Sequence, residues 1–273
     1  LFNEREALKR LREKHPHLTT ASVNQHIHKM RMIKCNQETE TVHHSIEVTG
    51  KGLEQAMLKC RPGMMEYQLQ AYLEQEFMTN GCKATAFHSI VASGPNALHP
   101  HYSSNRDTLK DGQLVVMDVG ARCKGYCADI SRTFPVNGLF SPEQKWLYQT
   151  VLDCQKELIS MVRPGITFKD IDKKAREIFR RQELEKYLIH GVTHSLGIDV
   201  HDPQPLDTLS TGMILTIEPG LYIPENDTRY PGLAGTGIRI EDDILVTETG
   251  FENLSTSIPK EIAEIERKMR TAK

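Results

Sequence analysis

Asp118 and Asp129 stand 11 positions apart, on either side of a turn at Lys124 and Gly125. The runs flanking that turn, residues 113–119 and 126–134, are apolar and strand-like, so the segment reads as a hairpin. Side chains alternate along a strand, and hairpin residues share a face when they oppose each other or differ from opposition by two. A turn centred on Cys123 and Lys124 makes the two acids oppose. One centred on Lys124 and Gly125 makes Asp129 diagonal to Asp118. Either register places both carboxylates on one face and sends Met117 and Val119 to the other, which suits a core. Glu218 and Glu241 form the same arrangement if their strands, 213–217 and 237–247, pair. Four carboxylates converging in one crevice cannot all ionise at neutral pH unless cations compensate, and two divalent ions compensate better than one. His194, within the HGVTHSLGIDVHD segment that runs from His190 to Asp202, offers a nitrogen ligand. A carboxylate-rich set with one histidine favours manganese, with zinc or cobalt able to substitute. Two such ions can hold a hydroxide between them and stabilise an oxyanion. Against this stands the plainer reading, in which a strand-end acid is a solvated cap and a lone histidine is structural.

The elements that must position these groups follow from periodicity. Apolar residues from Val42 to Leu58 recur at helical spacing over 38–59, and Arg61, Pro62 and Gly63 end that helix. A second helix over 66–78 stops at Asn80 and Gly81, and residues 84–91 form a strand. Two more helices, 142–162 and 168–187, are divided by Arg163, Pro164 and Gly165. A weak internal repeat emerges: helices, then an apolar strand ending in an acid and soon a glycine. It reads VVMDVG around Asp118 and LTIEPG around Glu218, and a returning strand brings a second acid in each half, Asp129 and Glu241. Two α/β halves facing each other would gather all four in a central crevice.

Composition narrows the function classes. The chain of 273 residues is long enough to bury a substantial core, and its net charge of -2 gives no basic patch for nucleic acid or an anionic membrane. No apolar run reaches the roughly 20 residues of a membrane helix, and the charged opening LFNEREALKR is not a secretory signal. Starting at Leu1, the chain reads as a processed product or a fragment. Residues 1–27, polar and His-containing, read as a linker or the remnant of an upstream domain, and 28–273 as one catalytic domain. The six cysteines are scattered irregularly, which suggests buried thiols in a reducing compartment rather than a disulfide framework. That places the protein in the cytosol by default, although an organelle matrix would look the same. Cys123 and Cys127 lie near the acids, but without paired C-x2-C clusters they read as small apolar filler.

At these residues the sequence resembles the pita-bread metallopeptidases, above all Xaa-Pro aminopeptidases (aminopeptidase P) and prolidases. The matching segments are MRMIK from Met30, FHSIVASG from Phe87, HY at His101, MDVG from Met117, ADISRTFP from Ala128, HGVTH from His190, DVHD from Asp199, IEPGLYI from Ile217 and RIEDD from Arg239. They occur in the family's order and span about residues 30–258. The resemblance implies an α/β (α+β) fold of two pseudo-symmetric halves around a curved antiparallel sheet. It implies metal ligation by Asp118, Asp129, His194, Glu218 and Glu241, with Asp129 and Glu241 bridging two ions. It assigns His101 and His201 to outer catalytic positions, His190 to the substrate's side, Arg239 to a place beside the bridging glutamate, and to Glu218 a proton-accepting role. The implied reaction is hydrolysis of the bond between an N-terminal residue and proline, with a prolidase restricted to Xaa-Pro dipeptides as the alternative. Methionine aminopeptidase fits RIEDD and DVHD less well, and a non-catalytic binding module would be expected to have lost several ligands. Relatives carry an upstream domain that limits peptide length and supports a homodimer or homotetramer. The link between Leu188 and His190 is short beside many of them, which points to an altered pocket wall.

Overall fold

The computed structural model describes residues 4–270. The first half holds α1 (Glu4–Lys14), α2 (Asn24–Met32), α3 (Asn36–Lys59) and α4 (Glu66–Thr79), then β1 (Ala84–Thr85), β2 (Ile90–Ser93), β3 (Leu114–Val119), β4 (Ala121–Cys123), β5 (Tyr126–Cys127) and β6 (Ile130–Pro135). The second half has α5 (Pro142–Ser160), α6 (Phe168–Arg181), β7 (Ile214–Ile217), β8 (Gly220–Ile223), β9 (Thr236–Arg239), β10 (Asp242–Val246) and β11 (Phe251–Asn253), and α7 (Ile262–Arg270) follows. Helix α2 straddles the 27/28 boundary drawn from composition. Helix α6 ends at Arg181, earlier than its apolar spacing suggests, because Glu183 turns into left-handed backbone (φ 60°) and the Leu184 N–H closes back on the Phe179 carbonyl. Both second-half helices begin on hydroxyl caps: Ser141 accepts from the Gln144 N–H and Thr167 from the Asp170 N–H.

The internal repeat extends well beyond its acids. Gly63 and Gly165, each following Arg-Pro, donate to the carbonyls of Leu109 and Leu209 respectively. Leu109 and Leu209 in turn donate to Met64 and Ile166, and the bridges Met65–Thr108 and Thr167–Thr208 match as well. Each half is thus a helix pair leading into an antiparallel ribbon, flanked by β1 and β2 in the first half and by β11 in the second. Helix α3 packs on β4, β5 and β6, and α5 on β7, β8 and β9.

Each ribbon keeps one register throughout. In the first, Leu114 pairs with Pro135, Asp118 with Ser131 and Cys123 with Tyr126. In the second, Ile214 pairs with Leu245, Ile217 with Asp242 and Gly220 with Arg239. Each is also broken once, where a single long strand was expected: at Ala128 and Asp129 in the 126–134 run and at Ile240 and Glu241 in the 237–247 run. The reason is a change of partner. The Asp129 N–H leaves its ladder for Asp243 Oδ2, and the Glu241 N–H crosses to the Ser131 carbonyl. These bonds, with Arg132 buried against Asp242 and the Glu241 carbonyl, join the two ribbons at the crevice. The 84–91 strand is likewise two pieces, β1 pairing β4 and β2 pairing β3. Val115, Met117 and Val119 enter the main core as alternation requires, while Val116 packs on the opposite face with Ile90, Ala92 and Ala97.

One cysteine expectation is corrected. Cys82 and Cys123 are joined by a disulfide, because the β1–β4 pairing sets their Cα atoms 4.5 Å apart. Their separation of 41 residues concealed this. Cys60, Cys127 and Cys154 are buried, and Cys35 is exposed.

Candidate metal centre and active site

The turn settles the first hairpin's register. Lys124 (φ 51°) and Gly125 (φ 92°) are its two left-handed residues, so Asp118 faces Ser131 and Asp129 lies on the diagonal. In the second ribbon, the register that pairs Ile217 with Asp242 sets Glu218 directly across from Glu241. His194 arrives by another route. The segment carrying it lies alongside β7, with Glu218 N–H on the Val192 carbonyl, Thr216 N–H on the His194 carbonyl and Leu196 N–H on the Ile214 carbonyl. All nine residues singled out from the sequence, Asp118, Asp129, His194, Glu218, Glu241, His101, His190, His201 and Arg239, line one cavity of about 610 Å³.

The electrostatics of the crevice call for cations. Ligand atoms of Asp129, His194 and Glu241 all lie within 4.8 Å of one another. The His194 Nε2 stands 3.3 Å from Asp129 Oδ2 and 3.5 Å from Glu218 Oε1. Burial first, and then their mutual repulsion, push the carboxyls of Asp129 and Glu241 well above the usual range. Burial takes Glu218 up to about 7, against the opposing pull of His194 and Arg239. Asp118 Oδ1 is buried with no hydrogen-bond partner, an orphaned acceptor inside the crevice. Four carboxylates and an imidazole, with this surplus of unmet negative charge, could hold two divalent ions.

Around these groups sits a shell of hydrogen-bonding residues, of which Ser131, Tyr222 and Glu66 were not singled out from the sequence. Arg239, 3% exposed, donates to Asp118 Oδ2 (2.7 Å), Ser131 Oγ (2.8 Å) and Tyr222 OH (2.6 Å). The Ser131 hydroxyl in turn donates to Glu241 Oε2 (2.9 Å). The Tyr222 hydroxyl also meets His190 Nε2 at 2.8 Å, and burial raises its pKa to about 12. Burial and the Arg239 charge lower His190 to about 4, so its imidazole is neutral. Burial also lowers His201, whose ring lies edge-on to His194 at 4.1 Å. His101 sits on a loop moored by Glu66, a fully buried carboxylate that accepts from Ser93, Asn96, Tyr102 and the Asp107 N–H.

Residues 40–248 match the model of metallopeptidase family M24. The chain belongs to metallopeptidase family M24. Among curated relatives, it is 37% identical to the Xaa-Pro aminopeptidase of Escherichia coli (strain K12), over 90% of this chain and 61% of that protein. It is 34% identical to the Xaa-Pro dipeptidase of Pyrococcus furiosus, over 83% of this chain and 64% of that protein. A solved structure of a putative aminopeptidase P from Bacillus anthracis superposes with a TM-score of 0.94 at 40% identity, covering all of this chain and 66% of that one. The chain therefore spans between about half and two thirds of the length of the curated relatives it matches. Its two antiparallel ribbons with outer helices are the pita-bread fold of these neighbours, and M24 membership implies divalent metal ions. Among the described residues no helix is long and apolar enough to cross a membrane.

Proposed function

We propose that this M24 chain removes the N-terminal residue from peptides whose second residue is proline, using two divalent ions, manganese by preference, held by Asp118, Asp129, His194, Glu218 and Glu241. The observation that carries the reading is the convergence of these five donors with His101, His190, His201 and Arg239 on one crevice. The names of relatives supply the proline specificity, and residues 28–273 are taken as the catalytic unit.

Divalent ions at this position supply Lewis acidity toward a carbonyl oxygen and lower the pKa of water. The remaining steps belong to side chains. Glu218 faces the crevice across from Glu241 and accepts the proton of the attacking water. His201, kept neutral by burial, donates an N–H to the carbonyl oxygen as negative charge develops there. His101 or His201 then carries a proton to the proline ring nitrogen, which must be protonated before it can leave. His190, fixed by Tyr222 and the Gly191 carbonyl, flanks the substrate. Arg239 holds Asp118 in place through one oxygen and leaves the other for a ligand.

The second reading, an Xaa-Pro dipeptidase, uses the same groups and differs only in what limits peptide length. Hydrolysis of an Xaa-Pro dipeptide is compared with that of an Xaa-Pro-Xaa tripeptide, with added manganese and with a chelator. Tripeptide cleavage that chelation abolishes supports the aminopeptidase. Cleavage of the dipeptide alone makes this a prolidase. Inertness toward both, with metal bound, overturns the proposal.

A further inference from the structure

The MRMIK segment carries no residue of the crevice, yet two of its side chains end in a partly buried ionic knot one residue from His201. Arg31, near the end of α2, donates through Nη2 to both Asp199 Oδ2 (2.6 Å) and Asp202 Oδ1. Lys34 Nζ reaches Asp202 Oδ2 at 3.3 Å, and the side chains of both Lys34 and Asp202 are only 1% exposed. Asp202 also closes its own loop: its Oδ1 accepts the Asp199 N–H (3.2 Å) and its N–H donates to the Ser195 carbonyl (2.9 Å). The same loop is held from the other side by Cys127, whose N–H donates to the Gly197 carbonyl and whose thiol donates to the Ile198 carbonyl. Gly197 is the close approach on which the knot sits: a Cβ there would lie 2.7 Å from Asp202 Oδ2 and 2.9 Å from the Lys34 side chain.

An ion cluster of this kind adds little net stability, since removing the Lys34 and Asp202 charges from water roughly cancels their attraction. What it does supply is a fixed geometry, and the loop it fixes begins at His194 and carries His201. Both cations precede residue 40, where the match to the M24 model begins. We infer that Arg31 and Lys34, acting through Asp202, are positioning residues that hold the His201 imidazole at the reaction centre, so that a segment with no side chain in the crevice completes the active site. This rests on the aminopeptidase reading for its catalytic consequence, but not for its structural one.

The test uses the whole chain with manganese bound. Arg31 is partly exposed (23%), so Arg31→Met should fold, and Arg31→Lys keeps one charge but cannot span both aspartates. Arg31→Met should lower kcat on an Xaa-Pro-Xaa tripeptide roughly 10–100-fold, as loss of outer support does at metal sites, with KM changed less than about twofold and metal content unchanged. Arg31→Lys should fall between. In the His201→Ala background, Arg31→Met should cost less than about twofold more. An equal loss in both backgrounds, or no loss in the first, overturns the assignment. Amide hydrogen exchange gives an arm independent of turnover. Arg31→Met should speed exchange at Gly197, Asp199 and Asp202, and unchanged protection there refutes the knot. Loosened amides in a protein whose unsubstituted form cleaves no Xaa-Pro peptide would sink the functional reading and leave the positioning role standing.

Discussion

Asp118 shows how the crevice divides labour within one carboxylate. Its Oδ2 is spoken for by Arg239, and its Oδ1 is buried and open. Asp129 has no such ion pair: its environment is burial plus the charges of Asp118, Asp243 and Glu218, which the Arg239 charge offsets only in part. Asp129→Ala should therefore abolish metal binding and hydrolysis together, read by metal analysis beside turnover of the tripeptide; hydrolysis retained after the substitution would refute the assignment. A milder test addresses the mooring of His101. Tyr102→Phe removes one of the hydrogen bonds to buried Glu66, a loss of about 1 kcal/mol that should lower Tm by roughly 2–4 °C, while kcat falls more than KM changes. An unchanged kcat would separate Glu66 from the chemistry. The five candidate donors were legible in the sequence because Asp, Glu and His are ligand types, and strand parity places the four acids. Tyr222 and Ser131 are not ligand types, and Glu66 opens a helix away from the acid-bearing strands, so all three escaped notice. Two of them had a usable signal: Ser131 opposes Asp118 once the turn is centred on Lys124 and Gly125, and Tyr222 shares strand parity with Glu218.

At the level of elements, periodicity reported the helices and the two ribbons well, since a buried face repeats at 3.6 or 2 residues wherever an element packs. It could not report the breaks at Asp129 and Glu241. There the backbone N–H groups bond to the other ribbon, and a long-range partner leaves no trace in local spacing. The Cys82–Cys123 disulfide escaped for the same reason. The glycines of VVMDVG and LTIEPG do mark the breaks. At Gly120 a Cβ would lie 1.8 Å from the Ala128 carbonyl oxygen, and at Gly220 it would meet Tyr222 OH, His190 Nε2 and the Ile238 carbonyl within 3.0 Å. Gly120→Ala must push apart the strands that carry Asp118 and Asp129, so we expect a loss of about 2–3 kcal/mol together with weakened metal affinity. Gly250→Ala is the control, because nothing lies within 4 Å of a Cβ there and its effect should be near zero. Denaturant midpoints and a metal titration compare the two; equal behaviour would mean the ribbon crossing is not constrained as described.

For the whole molecule, the crevice couples folding to pH through its carboxyls. Burial and mutual repulsion raise Asp129 and Glu241 well above their usual values and bring Glu218 from 4.5 to about 7. In the metal-free protein these groups keep their protons on folding. A carboxyl with a raised folded pKa leaves stability intact below its unfolded value and erodes it as pH rises through the folded value, because the unfolded chain then ionises more freely. For Glu218 the window runs from about 4.5 to about 7. Metal-free protein should accordingly lose Tm as pH climbs from 5 to 8. Divalent ions reverse the sign, since they bind the deprotonated carboxylates and displace the protons. Saturating manganese, near a thousand times its dissociation constant, adds about 4 kcal/mol, or roughly 10 °C in a chain of this size, and the increment should be larger at pH 8 than at pH 5.5. Scanning calorimetry on chelated and manganese-loaded protein at the two pH values decides the matter. A metal increment independent of pH would mean that the carboxyls are already ionised before the metal arrives. The surplus of negative charge in the crevice would then have to be met by something other than protons, and the case for two cations would lose its electrostatic footing.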